Sequence, residues 1–96
     1  MKYRFLPAAE IDFLDAIDYY ESCRDGLGAE FAYEVSCAIE RILQYPDAWE
    51  RVTEHGHRCL TSRFPYEVVY ALEDGYVLIL AVANQHRKPG FWKDRK

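Results

Sequence analysis

The residues best suited to chemistry lie together in the segment LAVANQHRKPGFW, which runs from Leu80 to Trp92. An aliphatic run ends there and gives way to two amides, an imidazole, two cations, a Pro-Gly break and two aromatic rings. Imidazole exchanges protons near neutral pH, and clustered cations attract phosphate. The segment therefore predicts a small cationic site with an acid–base group and aromatic anchors, and its candidate residues are His86, Arg87, Lys88, Phe91 and Trp92.

The charge of the chain is divided unevenly between its two parts. The net charge is −4, but residues 1–54 carry 5 Lys and Arg against 12 Asp and Glu, and residues 55–96 carry 7 against 4. A nucleic-acid-binding domain of this size usually has a basic balance throughout, so the acidic part argues against a broad contact with DNA or RNA. The C-terminal part can still form a small outward-facing patch that also includes Lys93, Arg95 and Lys96.

Composition places the chain among small globular proteins. Its 96 residues are 50% hydrophobic and 16% aromatic, which suits one domain with one core. No apolar run approaches the roughly 20 residues of a membrane span, and the N-terminus shows no secretory pattern. Cys23, Cys37 and Cys59 are odd in number and lack CxxC spacing, so we expect reduced thiols in a cytoplasmic protein without membrane contact or cofactor.

The first half of the chain predicts a short strand and two helices. KYRFL reads as a strand, and Pro7 suits the first turn of a helix from Ala8 to about Arg24, because its missing N–H needs no partner there. Gly26 can end this helix in the left-handed conformation. A second helix is predicted from about Ala29 to Tyr45, and the short linker makes the two helices antiparallel.

The second half predicts a β-meander. Strands are expected at about 57–62, at 66–73 and at 76–83, and Asp74-Gly75 is a two-residue hairpin signal between the last two. Tyr66 and Tyr70 share a strand face and are expected to pack under the helices. The predicted fold class is α+β with the order β-α-α-β-β-β, in which the N-terminal helix hairpin packs on one face of a mainly antiparallel four-stranded sheet.

The last predicted strand is apolar on both of its faces. In a regular strand, residues 78, 80 and 82 lie on one side and residues 77, 79 and 81 on the other. A sheet with helices on one face only should carry polar residues on its other face. The second face therefore needs a cover, which is either a partner protein or the C-terminal tail folding back through Phe91 and Trp92.

Five stretches of the sequence resemble the RelE/ParE toxin superfamily of bacterial type II toxin–antitoxin systems. They are DYYE at 18–21, GLGAEF at 26–31, AIERILQYPDAW at 38–49, RFPYEVVY at 63–70 and AVANQHRKPGFW at 81–92. The last stretch is most similar to the ParE-like branch, whose members often end their final strand with a His/Gln-Arg-Arg-x-Pro-Gly-Tyr/Phe-Trp run. The resemblance implies a single toxin domain over residues 1–96 that arrests growth and serves plasmid stabilization.

The resemblance also implies partners. A cognate antitoxin is expected to hold the toxin inactive in a hetero-oligomer, with its C-terminal segment packed across the helices and sheet, and an uncovered apolar surface suits that role. ParE-like members inhibit DNA gyrase, whereas RelE-like members cut messenger RNA in the ribosomal A site. The expected target is therefore DNA gyrase, with ribosome-bound messenger RNA as one alternative and a non-toxic, antitoxin-bound relative as another.

The endoribonuclease alternative needs a base, an acid and cations for the phosphorane charge. By resemblance to RelE-like members, its candidates are Arg63, His86 and Arg87, with Arg58 as a further sheet cation. Phe91 stands where a catalytic tyrosine is expected and has no hydroxyl. Whether the chain is an enzyme stays open, but we favour a binding protein, whose expected target-binding residues are Arg58, Arg87, Lys88, Phe91 and Trp92.

The same residues also have structural interpretations. Arg63 and Arg87 can equally brace strand ends by pairing with Glu67 or with an acidic helix residue. His86 can be a plain strand-end residue, and the two aromatic rings can be docking anchors rather than a stacking platform.

Two further clusters could mimic sites. His55, His57 and Cys59 alternate along a strand, but no fourth ligand is apparent and no metal site is expected. The acidic residues of the first helix are expected to form a solvated face, the first of them also complementing the helix dipole; they are Asp12, Asp15, Asp18 and Glu21.

Overall fold

The computed structural model describes residues 1–95, which form two long helices, five strands and a final 3-10 turn. The helices are α1 (Pro7–Cys23) and α2 (Leu27–Gln44), and the 3-10 turn covers Lys93–Arg95. The strands are β1 (Lys2–Phe5), β2 (Glu50–Arg51), β3 (Gly56–Leu60), β4 (Tyr66–Glu73) and β5 (Tyr76–Asn84). Within residues 1–95, no helix has both the length and the apolar character that a membrane crossing requires.

The sheet has the strand order β1-β5-β4-β3-β2. β1 pairs with β5 in parallel, and the other neighbouring pairs are antiparallel. The α+β class and the mainly antiparallel sheet are therefore confirmed, but the prediction of four strands is wrong. The additional strand, β2, is only two residues long, and so short a segment cannot show the alternation from which a strand is predicted.

The two helices form the predicted antiparallel hairpin. Gly26 in the link has a φ of 86°, as expected for a left-handed position. The Glu21 carboxylate accepts hydrogen bonds from the N–H groups of Gly26 and Gly28, each at 3.0 Å, and so caps the N-terminus of α2. Glu21 is exposed, as predicted for a solvated face, but the prediction missed that its carboxylate binds backbone groups of the next helix.

The main core lies between the helices and one face of the sheet. Phe31, Val35 and Ile42 of α2 are fully buried there. Tyr70 is fully buried as well, and the Tyr66 ring lies 4.9 Å from the Phe31 ring, so both tyrosines pack under the helices as predicted. Each such apolar side chain stabilises the fold by about 1.5–3 kcal/mol, which is enough to hold the helices on this face.

A β-bulge in β5 changes the face on which its last residues lie. The pairing with β4 skips Leu80, which is the extra residue. Beyond it the alternation is one residue out of step, so Val82 packs in the helix-side core and Ala81 lies on the opposite face. The prediction of faces from regular alternation therefore holds up to Leu80 and is wrong for the next two residues.

The tail after β5 covers the opposite face of the sheet. We call this surface the tail face, and it consists of Val69, Ala71, Leu78, Leu80 and Ala81. Trp92 lies on the tail face with only 6% of its surface exposed, and Phe91 packs beside it. A Cβ at Gly56 would make only an ordinary contact with the indole (3.5 Å), but it would lie 2.7 Å from Oγ1 of Thr53, so a side chain there would displace Thr53 rather than Trp92. Of the two predicted covers, the C-terminal tail is the one observed.

Candidate target-binding site

The tail leaves β5 through a tight turn. The N–H of His86 donates to Oδ1 of Asn84 (2.8 Å), and the N–H of Arg87 donates to the Asn84 carbonyl (3.0 Å). Gly90 then has a φ of 79°, a conformation that other residues rarely adopt. This turn and this glycine let the chain reverse and bring its two aromatic residues back onto the sheet.

All five predicted target-binding residues line one cleft between the tail and the sheet. We call it the tail cleft; it has a volume of ≈ 50 Å³, and the predicted residues in its wall are Arg58, Arg87, Lys88, Phe91 and Trp92. Four of them are close in sequence and were expected to lie together. Arg58 belongs to β3, and only the pairing of β3 with β4 brings it to the cleft.

Arg58 is held by two carboxylates. Its guanidinium donates to Glu50 through Nε (3.2 Å) and Nη2 (3.0 Å), and to Glu67 through Nη1 (3.0 Å). The hydrogen bond to Glu50, with a further contribution from the one to Glu67, raises the pKa of Arg58. Since two carboxylates neutralise its charge, Arg58 braces β2, β3 and β4 and has little charge left for a ligand.

Arg87 and Lys88 are the cations that the tail cleft offers to a ligand. The Arg87 guanidinium lies over the Phe91 ring, 3.7 Å from its centroid, which is a cation–π contact. The side chain of Arg87 is 52% exposed, and its nearest carboxylate oxygen, from Asp12, is 3.9 Å away. Lys88 is exposed, and its ammonium group has no hydrogen bond or ion pair within residues 1–95.

The three catalytic candidates are not assembled into one site. Arg63 donates to Glu30 of α2 at 2.6 Å, which lowers the pKa of that carboxyl, and its guanidinium lies 5.5 Å from the Phe64 ring. Across residues 1–95, no hydrogen bond, ion pair or ring contact joins Arg63 to His86 or Arg87. Arg63 therefore makes the ion pair with an acidic helix residue that its structural interpretation predicts.

Sequence reasoning missed two residues beside the tail cleft. Asp12 was expected on a solvated helix face, but its side chain is only 10% exposed. Arg95 was expected to face outward, but it is 18% exposed and binds both Asp12 carboxylate oxygens, at 2.6 and 3.1 Å. Both expectations are wrong because the tail returns to α1, which local spacing cannot show. Lys96, the last member of the predicted patch, lies outside the described residues.

The alternating His and Cys residues of β3 are not arranged as metal ligands. His57 is buried, stacks on Tyr70 at 5.3 Å and shares a hydrogen bond with the Trp49 carbonyl through Nδ1 (3.1 Å). Cys59 is buried in the helix-side core, where burial raises the pKa of its thiol, whereas His55 is exposed. Within residues 1–95, no group of three or more His, Cys, Asp or Glu side chains could hold a metal ion.

The structure therefore combines a helix hairpin on one face of a mainly antiparallel sheet with a tail that carries exposed cations on the other face. A family model described as the ParE toxin of type II toxin-antitoxin systems, parDE, matches residues 3–89. The chain belongs to this family and is the toxin component of a type II toxin–antitoxin system, which supports an antitoxin as its partner. The match includes Arg58, Arg87 and Lys88.

The comparison with solved structures agrees with this assignment. The chain is similar to a structure described as the chromosomal ParDE TA system from P. aeruginosa, with a TM-score of 0.63 and 14% identity, over 88% of this chain and 95% of that chain. At this identity the likeness shows the fold alone. No curated protein matches the chain. The predicted membership of the RelE/ParE superfamily, and of its ParE-like branch, is confirmed.

Proposed function

We propose that this toxin arrests growth by binding DNA gyrase through the tail cleft, without covalent chemistry of its own. One observation carries the proposal: the exposed cations Arg87 and Lys88 stand beside the Phe91 ring, on a tail that is docked to the sheet. Interfaces take much of their affinity from arginine and aromatic side chains held in place before binding. The cytoplasm, where gyrase acts, is the proposed location.

Arg87 is suited to recognition because its guanidinium is already ordered. Fixing a free arginine side chain costs up to about 2 kcal/mol of conformational entropy. In this chain the stack at 3.7 Å on Phe91 has restricted the side chain before any partner arrives. A ligand carboxylate or phosphate can therefore bind the guanidinium at a smaller entropic cost than it would at a free arginine.

The charge distribution limits the size of the contact. Residues 1–54 carry 12 acidic against 5 basic residues, so most of the surface repels phosphate. Arg58 and Arg95 are neutralised by Glu50, Glu67 and Asp12. The proposed contact is therefore local, with an acidic part of gyrase or with a short stretch of gyrase-bound DNA.

The endoribonuclease alternative lacks convergent groups. Of its three catalytic candidates, only Arg87 lines the tail cleft, and the further sheet cation there, Arg58, is paired with Glu50 and Glu67. Arg63 is bound to Glu30, and Phe91 has no hydroxyl that could act as an acid or base. General acid–base catalysis requires its groups within hydrogen-bond reach of one substrate, so this arrangement favours binding over cleavage.

The proposed antitoxin surface is the outer side of the helix hairpin. Four large apolar side chains are exposed on the two helices: Ile11 (59%), Leu14 (52%) and Tyr19 (60%) on α1, and Tyr33 (67%) on α2. Exposed apolar groups within an acidic surface suit an amphipathic segment with basic residues. A cognate antitoxin that packs across the helices would neutralise the toxin in a hetero-oligomer.

The test is to express the chain under tight control, and then to assay gyrase supercoiling with the purified toxin and messenger cleavage by primer extension in the arrested cells. We expect inhibited supercoiling and no codon-phased cleavage. Replacing Arg87 and Lys88 together with Ala should raise the toxin concentration for half-maximal inhibition by about tenfold or more, because both cations of the cleft are lost. The matched control is Lys2→Ala with Arg51→Ala, which removes two exposed cations elsewhere.

Three outcomes contradict the proposal in different ways. Growth arrest that survives the Arg87/Lys88 double substitution at unchanged protein level excludes the tail cleft. Codon-phased cleavage with gyrase unaffected supports the endoribonuclease alternative. Normal growth on expression of the chain alone indicates a non-toxic relative that is only an antitoxin-bound partner.

A further inference from the structure

The edge of β5 is covered by another strand over only part of its length. β1 pairs with β5 from Tyr76 to Ile79, and the last bond runs from the Leu6 N–H to the Ile79 carbonyl (2.9 Å). Pro7 then begins α1, and it has no N–H with which to extend the pairing. The backbone groups of β5 beyond Ile79 therefore need other partners on this side.

Two side chains from distant parts of the chain take the place of the missing strand. The Val82 N–H donates to Oδ2 of Asp12 (3.2 Å), and the Leu80 carbonyl accepts from Nη1 of Arg95 (3.0 Å). Asp12 and Arg95 also bind each other through two hydrogen bonds, at 2.6 and 3.1 Å. We call this pair with its two backbone partners the edge clamp. It joins α1, β5 and the tail.

The edge clamp is shielded from water, unlike the other ion pairs near the helices. Asp12 and Arg95 are 10% and 18% exposed, whereas Arg24 and Glu30 are 59% and 36% exposed. Exposed pairs contribute little to stability, but removing one partner of a shielded pair leaves a charge without compensation in a poorly hydrated place. The tail should therefore detach readily once either member of the clamp is lost.

The edge clamp also contacts Phe91 and Arg87, the two residues of the tail cleft that form the cation–π stack. The Arg95 guanidinium lies 5.0 Å from the Phe91 ring centroid, and the nearest carboxylate oxygen of Asp12 lies 3.9 Å from Arg87. The stack of Arg87 on Phe91 is therefore built against the clamp. A tail that lost the clamp would keep its cations but would no longer hold them in one place.

We propose that Asp12 is a positioning residue for target binding, which acts through Arg95 to hold the tail so that Arg87 and Phe91 are presented to the target. The inference rests on the proposed function of the tail cleft as the target-binding surface. Asp12 itself is not placed in contact with the target. Its effect comes from the order it imposes on the tail.

The first arm of the test measures the order of the tail by amide hydrogen exchange. Asp12→Asn keeps the shape of the side chain but removes its charge, and Arg95→Gln removes the guanidinium. We expect either variant to speed exchange at residues 86–95 by about tenfold or more, while β4 keeps its protection. Asp18→Asn, which removes an exposed carboxylate of the same helix, should leave tail exchange unchanged.

The second arm measures supercoiling inhibition and growth arrest with the same variants. Asp12→Asn should raise the concentration for half-maximal inhibition by about tenfold. The double variant Asp12→Asn/Arg95→Gln should inhibit as well as the less inhibitory of the two single variants, because both changes break the same Asp12–Arg95 pair. Glu21→Gln weakens the cap of α2, far from the tail, and so controls for lost stability; this variant should inhibit like the wild type.

Each contrary result has a distinct meaning. Unchanged tail exchange in Asp12→Asn and Arg95→Gln overturns the clamp, and faster exchange with unchanged inhibition and growth arrest overturns its role in presentation. If Glu21→Gln loses as much inhibition as Asp12→Asn, the loss is due to lower stability in general, and the proposal is overturned. If Asp12→Asn does not fold, tail exchange and inhibition in Arg95→Gln test the proposal instead. If wild-type toxin leaves gyrase active, the gyrase proposal fails, and growth arrest together with tail exchange still tests the clamp.

Discussion

Replacing Trp92 with Ala removes the indole through which the tail packs on the tail face. Trp92 is 6% exposed and packs with Leu78, Leu80 and Ala81. Two contacts hold the tail: the indole packs on the tail face, and the edge clamp binds the tail to the edge of β5 and to α1. The substitution therefore tests whether the tail, rather than a partner protein, is the cover that this apolar face requires.

The expected loss of stability follows from the buried area. A tryptophan side chain buries about 150–250 Å², which at about 25 cal/mol per Å² gives an upper bound of about 4–6 kcal/mol. The tail lies near the chain end and can detach instead of enclosing a cavity, so we expect a loss at the low end of the tryptophan-to-alanine range, about 3 kcal/mol. In a domain of this size, that lowers the melting temperature by about 12–24 °C.

The assay is urea unfolding followed by circular dichroism, combined with binding of the dye ANS to the folded protein. Trp92→Ala should unfold at lower urea and bind ANS, because the tail face becomes exposed. Trp92→Phe should keep part of the stability, and Tyr45→Ala, which changes a side chain on a residue that is 61% exposed, should change it by less than about 0.5 kcal/mol. A Trp92→Ala variant with wild-type stability and no ANS binding would refute the assignment of the tail as the cover.

Three further predictions concern the helices and β4. Glu21→Gln weakens the cap of α2 and should lower the free energy of unfolding in urea by about 1 kcal/mol; no change would show that the cap is not formed in solution. The hydrogen bond from Arg63 lowers the pKa of Glu30, so Glu30 stabilises the fold above its unfolded-state pKa, and this contribution disappears as the pH falls through the lower folded-state value. The melting temperatures of the wild type and Glu30→Gln should therefore differ at neutral pH and converge in acid, and a constant difference would contradict the pairing. Tyr70→Phe removes the hydrogen bond to the Pro46 carbonyl and should cost about 1–2 kcal/mol in the same urea assay, whereas equal stability would mean that water replaces the hydroxyl.

Local patterns in the sequence determined the elements of the fold and much of the candidate site. The predicted and observed bounds of β4 agree at both ends, because Pro65 and the Asp74-Gly75 turn mark them in the sequence. The helix pair follows from apolar periodicity and from Gly26, which adopts the left-handed conformation. The two apolar faces of β5 showed that a second cover was needed, and the aromatic residues after it indicated one that the chain could supply.

Other features could not be predicted because they depend on pairing between distant segments. β2 has two residues and forms only because β3 lies beside it. The bulge at Leu80 is set by the register between β4 and β5, and it reverses the faces of the next residues. Arg58 reaches the tail cleft only after β3 has paired with β4. In each case the local sequence is compatible with more than one arrangement.

The sequence by itself determined which surfaces had to be buried, since periodicity reports burial directly. Only the tertiary structure decided which charges meet. Asp12 and Arg95 are separated by 83 positions, and an acidic residue on a helix has the same local pattern whether it is solvated or paired. Their meeting depends on the tail reversing at Gly90 and docking its indole, so that the end of the chain arrives at α1 and completes the exposed edge of β5.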